Sequence, residues 1–230
     1  MKKTENKMKK RIVSLALTAS LLIIALLGFS SCSKGDRIDS AIESTNSLTD
    51  VDADVYMTLS APTLDLKIKE SIKISADKAY ALTVVNGRSK VEATLNGKAE
   101  LEEFEKKYGN IRDKVGGTIP IFTEEYHEIA AFEELNENLT MKLEDLNKEQ
   151  LEYFFGDLLS SIREAICQYG YKAEEVEFDL GSAEITVCGG YIKSLSLNTF
   201  ADVVMGSNNI YVTVRLKVSY NNPGEAVIIK

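Results

Sequence analysis

The chain has 230 residues, 44% of them hydrophobic and 27% charged, with a formal net charge of −8. The first 31 residues carry six basic side chains against one acid, so the remainder is more acidic, at −13. Such a surface repels nucleic acid and anionic lipid head groups, which sets both aside as expected ligands, and a single histidine, His127, removes most zinc sites and His-based catalytic triads.

In chain order, the first feature is an export signal. Lys2, Lys3, Lys7, Lys9, Lys10 and Arg11 precede an apolar run from Ile12 to Phe29, broken only by Ser14, Thr18, Ser20 and Gly28. Small residues, Ser30 and Ser31, then lead to Cys32. A basic stub, an apolar core and a small-residue exit form the layout of a cleaved signal. The segment resembles the bacterial lipobox, although Phe29 stands where that pattern usually has Leu. The resemblance implies cleavage before Cys32, diacylglyceryl transfer to its thiolate, and anchorage by acyl chains such as palmitate on the extracytoplasmic face of the cell membrane. Two chains, at about 0.8 kcal/mol per buried methylene, give durable attachment where one would be marginal. The alternative is an uncleaved spanning helix, because the apolar run is close to the ~20 residues a span needs. The expected organisation is a signal peptide over 1–31, lipidated Cys32 and a flexible tether over 32–37, and one α+β domain over 38–230.

Ile38, Ala41, Ile42 and Thr45 recur at helical spacing, so a short amphipathic helix opens the domain. The period then drops to two. Ala53, Val55, Met57 and Leu59 alternate with polar residues, and after Ala61-Pro62 a second strand carries Leu64, Leu66, Ile68, Ile72 and Ile74. Two more strands, Ala79–Val85 and Lys90–Leu95, flank Asn86-Gly87, a dipeptide in which both residues accept the positive φ of a tight hairpin. The middle reads as helical over Leu101–Ile111 and Thr123–Glu134. The strongest helix lies between Lys148 and Gln168, with Leu151, Phe154, Phe155, Leu158, Leu159, Ile162 and Ile166 on one stripe and Asn147 with Gln150 as a capping box. Strands return at Val176–Leu180, Ala183–Val187, Tyr191–Leu197 and Ile210–Tyr220, and Asn221-Asn222-Pro223-Gly224 turns the chain into a short final strand. Connections too short for parallel crossovers make the pairing antiparallel. The fold class expected is α+β, a curved antiparallel sheet packed on amphipathic helices.

Few groups suggest chemistry. Cys167 and Cys188 could close a loop of about 20 residues worth about 3 kcal/mol, but neither flank demands the bond and the sequence leaves it open. His127, between Tyr126 and Glu128, reads as exposed and inert. Asp50, Asp52 and Asp54 lack the Gly and bidentate Glu of a calcium loop, and the Glu pairs 102–103, 124–125, 133–134 and 174–175 read as solvated surface. No phosphate-cradling loop, nucleophile elbow or His-Glu-x-x-His is present, so no catalytic residue, metal or cofactor is expected. The absence of Trp counts against sugar stacking.

A lipidated cysteine, the helix Ile38–Leu48, strands from Asp54-Val-Tyr-Met-Thr-Leu onward, and the ending Val212–Tyr220 with Asn-Asn-Pro-Gly and Val227-Ile-Ile together resemble the lipoprotein-carrier-like superfamily of the LolA and LppX/LprG type. That resemblance implies a half-barrel whose curved sheet wraps helices around an apolar cavity and carries acyl chains or lipoproteins. On it, Val55, Met57, Leu59, Phe154, Leu158, Ile162, Val214 and Leu216 would border the cavity, the partners being the bilayer and an apolar ligand. The same eight residues also suit a plain core, as in an envelope lipoprotein with a structural or protein-interaction role and no ligand cavity.

Overall fold

The computed structural model describes residues 33–76 and 78–229; the signal segment and Cys32 lie outside the described residues. Helix α1 (Lys34–Asn46) precedes a four-stranded meander, β1 (Val51–Ala61), β2 (Leu64–Ile74), β3 (Lys78–Val85) and β4 (Arg88–Asn96). A helical crossover follows, α2 (Lys98–Tyr108), α3 (Ile111–Lys114) and α4 (Glu124–Ile129). The chain then forms β5 (Ala131–Leu135), β6 (Asn138–Asn147), helix α5 (Lys148–Ala165) with a π turn over Ile166–Gly170, and β7 (Glu175–Cys188), β8 (Tyr191–Met205) and β9 (Asn208–Tyr220).

All nine strands belong to one antiparallel sheet in the order β4-β3-β2-β1-β9-β8-β7-β6-β5. The chain starts at the centre, steps outward to β4, crosses to the far edge and returns strand by strand to β9, which closes on β1 with Met57 opposite Leu216 and Leu59 opposite Val214. The Asn86-Gly87 hairpin adopts positive φ at both residues (48° and 77°), the requirement that made it legible. Register breaks between Thr83 and Val84, Leu143 and Leu146, and Phe178 and Gly181 are β-bulges, which bend a strand and increase its twist. At Gly181 a side chain has no room, since a Cβ would lie 2.7 Å from the Asn198 carbonyl oxygen.

The inner face of this sheet is covered by α5, α1 and the crossover, and burial alternates with period two along the strands, as in β1, where Val51, Ala53, Val55, Met57 and Leu59 are buried. Helix α5 runs diagonally: Leu151 lies against Gly181 of β7, whereas Gly170, the last residue of its π turn, lies against Leu64 and Leu66 of β2. The expected capping box is formed, with Asn147 and Gln150 exchanging side-chain and backbone bonds, and the helix kinks at Phe155 (φ −130°, ψ 20°).

Several expectations are corrected. Residues 34–37 are not a flexible tether but the first turn of α1, capped by a reciprocal Ser33–Asp36 pair. Helix over Thr123–Glu134 is confined to Glu124–Ile129, and Ala131–Leu135 is an edge strand. Strand β6 was not expected, and Val176–Leu180 with Ala183–Val187 form one bulged strand. The final Val227-Ile-Ile segment forms no strand; instead Val227 N–H donates to Asp50. The Cys167–Cys188 bond that the sequence left open is not formed, both thiols being free. The topology explains this: Cys167 lies in the π turn at the β1–β2 hairpin end of the sheet, and Cys188 pairs with Tyr191 at the opposite end.

Candidate functional site

The eight residues named for an apolar cavity converge on the inner face. Val55, Met57 and Leu59 of β1 and Val214 and Leu216 of β9 sit on hydrogen-bonded neighbours at the middle of the sheet, although about 155 positions apart in sequence. Phe154, Leu158 and Ile162 come from the covering face of α5. All eight are only 0–3% exposed. Of them, only Val214 borders a described concavity, and that one opens on the outer face, where exposed Asn198, Phe200 and Arg215 also line it. In this conformation the eight side chains are therefore packed against one another and their neighbours.

What closes the inner face is distinctive. Residues 109–123 form a mostly irregular strap that presses Ile111, Val115, Ile119 and Phe122 into the core. Phe122 stacks on Phe154, with ring centroids 4.4 Å apart, and Tyr126 meets Phe154 edge-on at 4.6 Å. Side chains fasten the strap's backbone. Asn46 both donates to and accepts from the backbone of Ile119 (2.7 and 3.2 Å), and Asp157 accepts Thr118 N–H (2.9 Å). Asp39 accepts Phe122 N–H (3.3 Å), the Tyr220 hydroxyl donates to Val115 C=O (2.5 Å), and Arg112 donates to Leu48 C=O. Beneath the strap Glu70, 7% exposed, accepts from Thr83 (2.9 Å) and pairs with Lys114 Nζ (3.2 Å). This buried carboxylate on a largely apolar face is satisfied, as burial requires. Sequence reasoning missed it; its one signal was Glu70 standing in register with Leu66, Ile68 and Ile72.

Carboxylates gather where the strap meets α5 and α2. Burial, with Asp157, Glu164 and Glu105 nearby, pushes the Asp113 carboxyl up to about 6. Tyr220 is raised above the ordinary phenol range by burial.

His127 is not exposed as expected: its side chain is 17% exposed and its ring fills the space over Gly35, where a Cβ would come within 2.4 Å of Nδ1. Nε2 stands 3.4 Å from Asp39 Oδ2, within ion-pair range but without hydrogen-bond geometry. Burial raises the Asp39 carboxyl, an effect partly offset by His127. Asp50, Asp52 and Asp54 are each engaged structurally, with Val227 N–H, with Lys73 and Asn221, and with Ser71 and Asn221. Among the described residues no cluster of three metal-ligating side chains occurs, and no helix is long and apolar enough to cross a membrane.

No family model matches the sequence, and no curated protein matches it. Among solved structures, the chain is similar to the Mycobacterium tuberculosis lipoprotein LppX, with 10% identity over 86% of this chain and 98% of that one and a TM-score of 0.34. It is also similar to the LolA superfamily protein NE2245 from Nitrosomonas europaea, with 8% identity over 87% and 96% of the two chains and a TM-score of 0.25. A dehydratase domain of the Curacin polyketide synthase CurJ module follows, at 8% identity over 74% and 76% and a TM-score of 0.15. Scores this low add nothing to the strand order, which by itself shows one open antiparallel nine-stranded sheet in an α+β chain.

Proposed function

We propose that this chain is a non-enzymatic lipoprotein, held through acylated Cys32 on the extracytoplasmic face of the cell membrane, that binds an apolar or lipid ligand beneath its helical layer. One observation carries the reading. The inner face of the sheet is apolar across its central strands, yet part of its cover is an irregular strap held largely by side-chain hydrogen bonds. Segments with few ladder bonds open at lower free energy than sheet or long helix. Lifting the strap would expose Phe154 and the apolar centre to a ligand while the sheet stays intact.

A second reading, an envelope protein-interaction module whose interior stays shut, is favoured by the 0–3% exposure of the eight central residues. A native mass spectrum of the Cys32→Ser protein, which carries no covalent lipid, separates the two. The carrier reading expects an added lipid mass at one per chain; a bare mass even after incubation with lipid supports the closed module. For the anchor, Cys32→Ser should leave the domain folded and release it from membranes, and a variant that stays fully membrane-bound would contradict lipid attachment.

A further inference from the structure

The outer face of the central strands has a character that the net charge conceals. In register across the sheet, Lys69 of β2 lies beside Tyr56 of β1 and Lys217 of β9, and one step along, Lys67 lies beside Thr58 and Arg215. Lys67, Lys69, Arg215 and Lys217 are all exposed, and none has a salt bridge among the described residues. Strand spacing places them near the corners of a rectangle of about 10 by 7 Å. The carboxylates nearest on these strands are Asp65, one step beyond Lys67, and Asp54, which is engaged by Ser71 and Asn221. Contact with anions was not expected of a chain at −13, but alternation has sorted the charges: the cations of β2 and β9 share one face.

Arg215 also opens a groove of about 610 Å³ that crosses β9, β8 and β7. The bulges at Leu143/Leu146 and Phe178/Gly181 bend the sheet there. Thr213, Asn198 and Ser182 line it with hydroxyl and amide groups that make no side-chain hydrogen bond among the described residues, beside Phe200 (51% exposed) and Leu180 (44%). Glu144 and Asp145 close its far end. A cation cluster running into a groove of hydroxyls, an amide and an aromatic face suits a chain of sugar rings bearing anionic groups. The anions would meet the Lys/Arg cluster and a ring would lie on Phe200, with the acids at the far end barring further negative charge. A bilayer matches less well, because its flat surface would leave the groove's hydroxyl and amide groups unused.

We propose that the outer face of β2, β1, β9 and β8 is a binding site for an anionic polysaccharide. At physiological salt the screening length of about 8 Å is comparable with the patch, so a bound chain feels these four cations, with Asp54 and Asp65 at their edge, ahead of acids farther off. The site is independent of any ligand under the strap.

The test is binding of full-length protein in neutral detergent to dextran sulfate, with neutral dextran, inorganic polyphosphate and phosphatidylglycerol vesicles as comparisons. Dextran sulfate should bind in a salt-sensitive manner and neutral dextran far more weakly. Lys67→Gln with Lys69→Gln, or Arg215→Gln with Lys217→Gln, should weaken it about tenfold or more, whereas Lys106→Gln with Lys107→Gln on α2, an equal charge change, should not. Lys67→Arg with Lys69→Arg should retain binding, which guards against misfolding as the cause of loss. Phe200→Ala should weaken dextran sulfate and leave polyphosphate unchanged. Binding indifferent to both cation pairs, tighter capture by phosphatidylglycerol vesicles than by dextran sulfate, or no effect of Phe200→Ala would each overturn the proposal.

Discussion

The same strands present two different surfaces. On the inner face of β1 and β9, Val55, Met57, Leu59, Val214 and Leu216 are almost wholly buried; one residue along, Tyr56, Arg215 and Lys217 stand in solvent. The inner face is read by volume and tolerates little change, because a close-packed interior has no slack. The outer face is read by charge and register, and its side chains contribute little to folding. Stability and recognition are thus carried by alternate residues of the same backbone, and each can be altered without the other.

Substitutions should obey that division. The largest effect is expected inside, where Phe154 packs against Phe122 of the strap and Tyr126 of α4: Phe154→Ala should cost about 3–5 kcal/mol, read as a lower urea midpoint. Next comes the polar exception on the inner face. Glu70→Ala would leave Lys114 unpaired under the strap and should cost about 3 kcal/mol, whereas removing the more exposed Glu177, paired with Lys148, should change the midpoint little.

A smaller, pH-dependent effect is expected at Asp113. Its carboxyl sits near 6 in the fold, above the ordinary value, so the folded state holds a proton that the unfolded chain has released. That contribution is fully present below about pH 4 and is lost as pH rises through about 6. Asp113→Asn should therefore raise stability at pH 7, on the order of 1 kcal/mol after solvent screening, and make no difference near pH 4. Paired urea titrations would show it, and equal gains at both pH values would contradict the assignment. Smallest of all, Lys69→Gln should stay within about 0.5 kcal/mol; a larger loss would mean that the outer face is structural after all.

Much of this fold was legible where burial is one-sided. The alternation in β1, β2 and β9 and the stripe on α5 mark which face is buried, and Asn86-Gly87 and Asn147 with Gln150 mark a turn and a helix start. Strand β5 was not legible, because as a short edge strand it leaves all but Phe132 exposed and shows no alternating burial. The strap was invisible for a related reason: its apolar residues follow neither period, and its hydrogen bonds come from Asn46, Asp39 and Asp157, remote in sequence. The eight inner residues could be named because each lay on a clean period, but their pairing across β1 and β9 is a product of topology. The cation cluster needed that same pairing, since Lys67 and Arg215 are unrelated until β1 is set between them.

The proposed function requires the apolar centre beneath the strap to admit a ligand. Titration with a fatty acid whose fluorescence rises in apolar surroundings is the test, using the wild-type protein and Leu158→Trp, which adds bulk where a ligand would have to enter. Saturation at one molecule per chain, abolished in the folded variant, is the predicted result. No signal from the wild type, or equal uptake by both proteins, would contradict it.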